Sequence, residues 1–294
     1  MLNTHRSVLL LLLLLFTGVS REDFISGIAS DIQSKLPLTF ELDQIKKKFG
    51  NLTPTNVVLL QELERFNNLV KKMVLSLINL QRALAGEVGM SNELDELAKS
   101  LYNGQLPSMW RSLAPETLKS LGNWMLHFLR RFDQYTKWVK VEPKVMWLSG
   151  LHIPESYLTA LVQSTCRKNG WPLDKSTLYT NVKDVTYSNE VDERPESGCY
   201  IEGLYLEGAI WDHVNQCLKK SSPKVLIEQL PILHVIPVEA HRLKLQNTFR
   251  TPVYVTSNRR NAMGVGLVFE ADLFTQEHSS HWTLQGVALL LNTD

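Results

Sequence analysis

Leu59, Leu63, Phe66, Val70, Met73, Leu77, Leu80 and Leu84 follow one another by alternating steps of four and three residues. That spacing lays an apolar seam along about seven helical turns, and a seam of this length must be covered by other helices. Leu60, Leu69, Val74 and Ile78 widen the stripe. A wide stripe predicts burial among several helices in a bundle core rather than a free two-stranded zipper. Thr53-Pro54 supplies an N-cap and a first-turn proline, and Gly86 and Gly89 supply the stop.

The neighbouring segments are helical as well. Phe24, Ile25, Ile28, Ile32 and Leu36 recur at helical spacing up to Pro37, and Leu42, Ile45 and Phe49 form a second short stripe. Lys46, Lys47 and Lys48 around that stripe read as a solvated face, without the interleaved aromatics of a nucleic-acid surface. Ser91 caps a helix with Leu94, Leu97 and Leu101 inward, closed by Asn103-Gly104. Pro115 is the expected first residue of another long helix, with Leu118, Leu121, Met125, Phe128, Phe132 and Tyr135 on one side, flanked by Trp124, Leu129 and Trp138. Arg130 and Arg131 beside this stripe are expected on a solvated face, within reach of a neighbouring carboxylate.

After Pro143 the texture changes. Val145–Leu148 reads as a short strand and Ser149-Gly150 as a turn, and Pro154 begins a helix that ends at Asn169-Gly170. From Thr177 onward strands are expected at 178–187, 199–206, 225–230, 232–238, 253–256, 265–269 and 282–291, with an exposed loop at Asn189–Ser197. The most specific local pattern is Gly198–Asp212. There Cys199, Ile201 and Tyr205 alternate with Tyr200, Leu204 and Leu206, as in a strand apolar on both faces, interrupted at Gly203 and Gly208 and followed by a core indole, Trp211. Helices followed by many short strands define an α+β protein: an N-terminal helical bundle, then a mostly antiparallel, incomplete β-barrel.

The search for chemistry yields little. No phosphate-cradling G-x-x-x-x-G-K-[ST], no dinucleotide G-x-G-x-x-G after a strand and no G-x-S-x-G elbow is present. Gly264-Val265-Gly266 is read as backbone crowding in a strand. His278-x-x-His281 lacks the glutamate of a zinc helix. Asp212-His213 and Glu239-Ala240-His241 carry acid and base groups with no nucleophile beside them, and read as local polar contacts. Cys166, Cys199 and Cys217 are odd in number and without a C-x-x-C, so buried reduced thiols are expected. A net charge of +1 supplies no basic field for nucleic acid. No catalytic, cofactor-binding or metal-ligating residue is therefore assigned. At the N-terminus Arg6, the apolar run Val8–Phe16 and Thr17-Gly18-Val19-Ser20 have the layout of a secretory signal, too short to span a bilayer. Two readings stand: a cleaved signal, or a leader unrelated to the domain behind it. Asn51-Leu52-Thr53 is a formal glycosylation sequon followed by Pro54.

Several long strings occur in one order: LLQELERFNNLVKKM (59–73), WLSGLHIPESYLTALVQSTCRKNGWPLD (147–174), GLYLEGAIWD (203–212), RTPVYVTSNRRNAMGVGLVFEADL (250–273) and HWTLQGVALLLN (281–292). From about Arg21 onward the sequence closely resembles the C-terminal region of dynein heavy chains, the axonemal ones above all. The resemblance implies a leader at 1–20, the tail of the helical part of the sixth AAA+ module at 21–50, and the C-terminal domain at 51–294, helical to 170 and a β-barrel from 171. It implies a non-catalytic domain that packs on the motor ring of preceding AAA+ modules. Dynein intermediate and light chains would be associates, microtubules would be contacted only indirectly, and no cofactor, nucleic acid or membrane would be bound. The location it implies is the cytoskeleton of the cilium or axoneme. The nucleotide and microtubule sites of the family lie in parts this sequence does not contain, so neither activity is expected of it alone. Secreted binding protein and hydrolase with a scattered His/Asp site are the alternatives.

Overall fold

A computed structural model describes residues 20–243, 245–261 and 266–291. The expected leader, except Ser20, and Gly264-Val265 lie outside them. The polypeptide divides into two compact units, one of residues 1–42 and 63–129 and one of 43–62 and 130–294.

The first unit is helical. It holds α1 (Arg21–Lys35), the later part of α3 (Pro54–Leu84), α4 (Asn92–Tyr102), α5 (Ser108–Arg111) and the start of α6 (Leu121–Trp138). The seam is buried as its spacing requires: Leu63, Phe66, Met73, Leu77 and Leu80 are wholly covered, Val70 nearly so, and Leu84 at the end of the helix is partly exposed. Its centre is a file of rings. Phe40, Phe66, Phe128, Trp124 and Trp110 follow one another at centroid spacings of 5.9, 4.9, 5.5 and 6.2 Å, and the Trp110 indole N–H donates to Ser76 Oγ at 3.0 Å. Asn67 accepts from the Phe40 N–H and donates to the Phe40 carbonyl, both at 2.8 Å, so a buried amide satisfies the backbone before α2 (Leu42–Phe49). The Ser91 cap forms as expected, its Oγ accepting from Leu94 N at 3.3 Å. The start at Pro115 does not: α6 begins at Leu121, whose N–H donates to Gly104 O, and Leu118 is more than half exposed. Thr117 Oγ1 accepts from Lys119 N, a turn that competes with helix there.

The second unit opens with α2 and the first turns of α3, where Thr53 caps through Asn56 N at 3.2 Å. The end of α6 leads to β1 (Val145–Trp147), α7 (Pro154–Asn169) and β2 (Ser176–Val182). Then come β3 (Cys199–Glu202), β4 (Tyr205–Glu207), β5 (Ala209–Asp212), β6 (Cys217–Lys220), β7 (Ile227–Gln229) and β8 (Leu233–Glu239). Finally come β9 (Thr248–Tyr254), α8 (Thr256–Asn261), β10 (Leu267–Phe274), α9 (Ser279–Leu284) and β11 (Ala288–Leu290). A four-stranded sheet has the order β1-β3-β8-β2, a five-stranded sheet β10-β9-β11-β4-β7, and β5-β6 is a hairpin. All pairings are antiparallel except β1 with β3 and β11 with β9. Among the described residues the strands form no closed barrel. The outer strands β2 and β10 are joined by the Thr180 hydroxyl, whose Oγ1 accepts from Asp272 N at 2.6 Å and donates to Asp272 O at 3.1 Å.

The stretch 199–206, read from its alternation as one strand, is two. β3 belongs to the four-stranded sheet, β4 to the five-stranded one and β5 to the hairpin, so Gly198–Asp212 threads all three. The switches fall at Gly203 and Gly208, both with φ of 81°. At Gly203 an added Cβ would lie 2.8 Å from the Trp147 ring, so the backbone passes close against that ring. The expected strand 282–291 is also corrected: residues 279–284 are helical, because His278 caps them, its ring accepting from Ser280 N at 3.3 Å. Thr256 begins a helix rather than ending a strand. Trp211 is buried opposite Leu218. Trp211→Ala is expected to cost about 3 kcal/mol. A denaturant midpoint showing a loss below about 1 kcal/mol would show that the indole adds little to the core.

Candidate functional site

The second unit brings two of its buried charged groups, Glu62 and Arg131, close to one another. Glu62, on the first part of α3, is wholly buried. Its Oε2 accepts from Tyr135 OH at 2.7 Å and from His152 N at 2.7 Å, its Oε1 accepts from Ile153 N at 3.2 Å, and His152 Nδ1 lies 3.3 Å from Oε2. Burial pushes this carboxyl up. The hydrogen bonds and charge of His152, with the Tyr135 hydroxyl, outweigh burial and hold it at about 2.

Around it the last turns of α6 fix the segment 147–150. Arg131, 4% exposed, donates from Nε to Gly150 O at 2.6 Å. Burial pulls its guanidinium down, opposed by the neighbouring Tyr135 and Glu62. Gln134 treats Trp147 as a strand would, accepting from its N–H at 2.9 Å and donating to its carbonyl at 3.2 Å. The solvated-face expectation therefore fails for Arg131. Arg130 is exposed, pairs with Glu202 at 2.7 Å and stands 4.2 Å over the Trp147 ring. Chemically the cluster is a clamp. Glu62 is an ionised acceptor already engaged by at least three donors, so acting as an acid or base would require undoing the bonds that hold α3, α6 and the start of α7 in register.

The residues singled out in the sequence are not brought together. Asp212 closes the β5–β6 turn: it accepts from the Asn215 side-chain amide at 2.9 Å and from the N–H groups of Asn215 and Val214. These bonds, Asn215's first, hold the carboxyl at about 2. His213 is exposed in that turn. His241 is exposed in a separate 3-10 turn, and Glu239 there pairs with Arg242 at 2.9 Å. His278 is spent on capping, and His281 packs edge-on against Trp282 at 4.8 Å. Among the described residues no group of three or more His, Cys, Asp or Glu is arranged to hold a metal, and no helix is long and apolar enough to cross a membrane. The three cysteines are free and buried, as expected, and burial pushes the Cys199 thiol up to about 12, far from a nucleophile's range. Lys46, Lys47 and Lys48 are exposed, as a solvated face should be.

This α+β domain uses buried charges to clamp its own elements together. It belongs to the family of C-terminal domains of dynein heavy chains, whose model matches residues 9–291. It is 68% identical over 95% of its length to human dynein axonemal heavy chain 10. It is 63% identical over 94% to the Chlamydomonas reinhardtii dynein-1-alpha heavy chain of the flagellar inner arm I1 complex, and 34% over 94% to the flagellar outer arm beta chain of the same alga. It spans about 6% of the length of each of these relatives.

Proposed function

We propose that this polypeptide serves as the C-terminal domain of an inner-arm axonemal dynein heavy chain, a non-catalytic part of a microtubule motor in the cilium. The observation that carries the reading is the identity of 63%, along nearly the whole sequence, to a heavy chain of a flagellar inner arm complex. Its role is to pack on the preceding ring of the motor, with residues 21–50 continuing the helical part of the last ring module. Intermediate and light chains are associates of the assembled complex, and microtubules are engaged only through the rest of the heavy chain. Exposed apolar residues on the helical unit support a packing role: Leu75, Leu118 and Leu126 are each more than half accessible.

The purified protein is expected to bind no ATP, to self-associate in light scattering and to bind a hydrophobic dye. Addition of the preceding ring module in trans should suppress the last two. ATP binding of micromolar strength by calorimetry, or a monodisperse and dye-silent protein, would overturn the reading. The 63% identity to an inner-arm heavy chain also predicts rescue of an inner-arm rather than an outer-arm mutant when the domain is exchanged into the corresponding heavy chain.

A further inference from the structure

A cleft of about 1090 Å³ opens on the helical unit, among α1, the end of α4, and the start of α6 with the residues before it. Its walls are fixed by three contacts. The Phe24 ring meets Tyr102 edge-on at 5.9 Å, the Arg21 guanidinium stands 5.1 Å from the centre of the same ring, and Leu121 N–H donates to Gly104 O at 2.9 Å. The lining is open to solvent: Phe24, Ile28 and Tyr102 are half-buried, and Leu118 and Arg111 are exposed. The Arg111 guanidinium is held at the cleft by donating to the carbonyl of Leu106, itself a lining residue, at 3.4 Å. Small-molecule clefts span about 300–1,000 Å³, so this one has room for a stretch of polypeptide.

The lining is one-sided in charge. It carries two cations, Arg111 and Lys119, and no carboxylate, and the carboxylates nearest in sequence, Asp23 and Glu116, fall outside it. Beside the cations stand the apolar side chains of Phe24, Ile28 and Leu118. A bare anion would meet the cations and leave those apolar surfaces wet, whereas acidic residues flanking an apolar one answer both. We propose that this cleft receives an acidic segment of the preceding motor ring, with an apolar side chain against Phe24, Ile28 and Leu118 and carboxylates toward Arg111 and Lys119. The source of the segment rests on the reading above, in which residues 21–50 continue the last ring module. On that reading α1 is both a wall of the cleft and the link to the ring, and Phe24 stands one turn into it. A ring segment tethered through α1 meets the cleft at high effective concentration, so contacts of modest strength suffice.

The chemistry is tested by titrating the 294-residue protein with acetyl-Glu-Leu-Phe-Glu-amide, followed by the δ1-methyl signal of Ile28, the one lost in Ile28→Val. That signal should shift saturably. The uncharged peptide acetyl-Gln-Leu-Phe-Gln-amide should bind at least about fivefold more weakly, and Arg111→Gln with Lys119→Gln should bring the acidic peptide to the same level. Should the double variant fail to fold, the contrast between the peptides on the unaltered protein decides. An unmoved Ile28 signal, equal affinity for both peptides, or an equal shift with inorganic phosphate alone overturns the proposal. The source is tested in the heavy chain that carries this domain, with a benzophenone amino acid placed for photocrosslinking at Leu75, Leu118 or Leu126, one at a time. The expected result is an adduct from Leu118 to an acidic segment of the ring. Ring adducts from Leu75 or Leu126 but not from Leu118 would overturn this assignment and leave the ring-packing reading standing. Absence of a ring adduct from all three would overturn that reading as well.

Discussion

Replacing Glu62 by leucine is expected to lower stability by roughly 4–6 kcal/mol, because the leucine would fit while at least three buried donors lose their acceptor, each at about 1–3 kcal/mol. Those donors are the Tyr135 hydroxyl and the N–H groups of His152 and Ile153. Glu62→Gln keeps one acceptor oxygen and should cost about half as much. The pair also separates by pH. The folded carboxyl sits at about 2 against an ordinary 4.5, so it contributes about 3 kcal/mol that is fully present above 4.5 and lost as pH falls through 2. Acid titration of stability should therefore be shallower in Glu62→Gln than in the unaltered protein across that window. Equal slopes, or a leucine variant within about 1 kcal/mol of the parent, would mean that the clamp is incidental to folding.

Gly198→Ala is the second large effect, expected at about 2–5 kcal/mol, the sum of a backbone part and a steric part. Gly198 has a φ of 78°, a region where any other L-residue is penalised by about 1–2 kcal/mol. An added Cβ would also be driven into the backbone carbonyl of Val235, on the neighbouring strand β8. Backbone cannot step aside as the tip of a flexible residue does, so the overpacking adds about 1–3 kcal/mol. Gly170→Ala makes the control. It shares the left-handed backbone, with φ of 70°, but nothing lies within 4 Å of its added Cβ. The difference between the two variants in a denaturant titration isolates the steric part. Equal losses would show that strain alone matters and that β3 and β8 can part to admit a methyl.

The helical unit was legible because its signals are local. A period of three and four, a serine cap at Ser91 and glycine stops act within a turn or two, and α3 and α4 end where those signals place them. The β-rich unit was legible in content but not in arrangement. Alternation in 199–206 shows that both faces are apolar, yet nothing in it says that the residues before and after Gly203 belong to different sheets, since that depends on partners near 145, 235 and 289. β6 escaped notice because half of it, Lys219 and Lys220, faces solvent. The clamp left one readable trace. Glu62 falls three residues after Leu59 and four before Phe66, a carboxylate on the apolar stripe, where a solvated residue has no place. Its partners Arg131, Tyr135 and His152 lie about 70 to 90 residues away in sequence, and no short-range pattern joins them to it.

The five-stranded sheet holds β11 at its centre, between β4 and β9, and residues 288–290 are the last of its five strands to be synthesised. During translation β4 and β9 are both complete while the strand that joins them is still to come, and Leu289 must find Leu206 across more than eighty intervening residues. Such pairings are slow to close, and they leave two strand edges exposed in the meantime. Ribosome-bound nascent polypeptides interrupted between residues 254 and 288 would thus carry a finished helical unit beside a sheet that cannot yet assemble, and that interval is where this domain most needs a chaperone's cover.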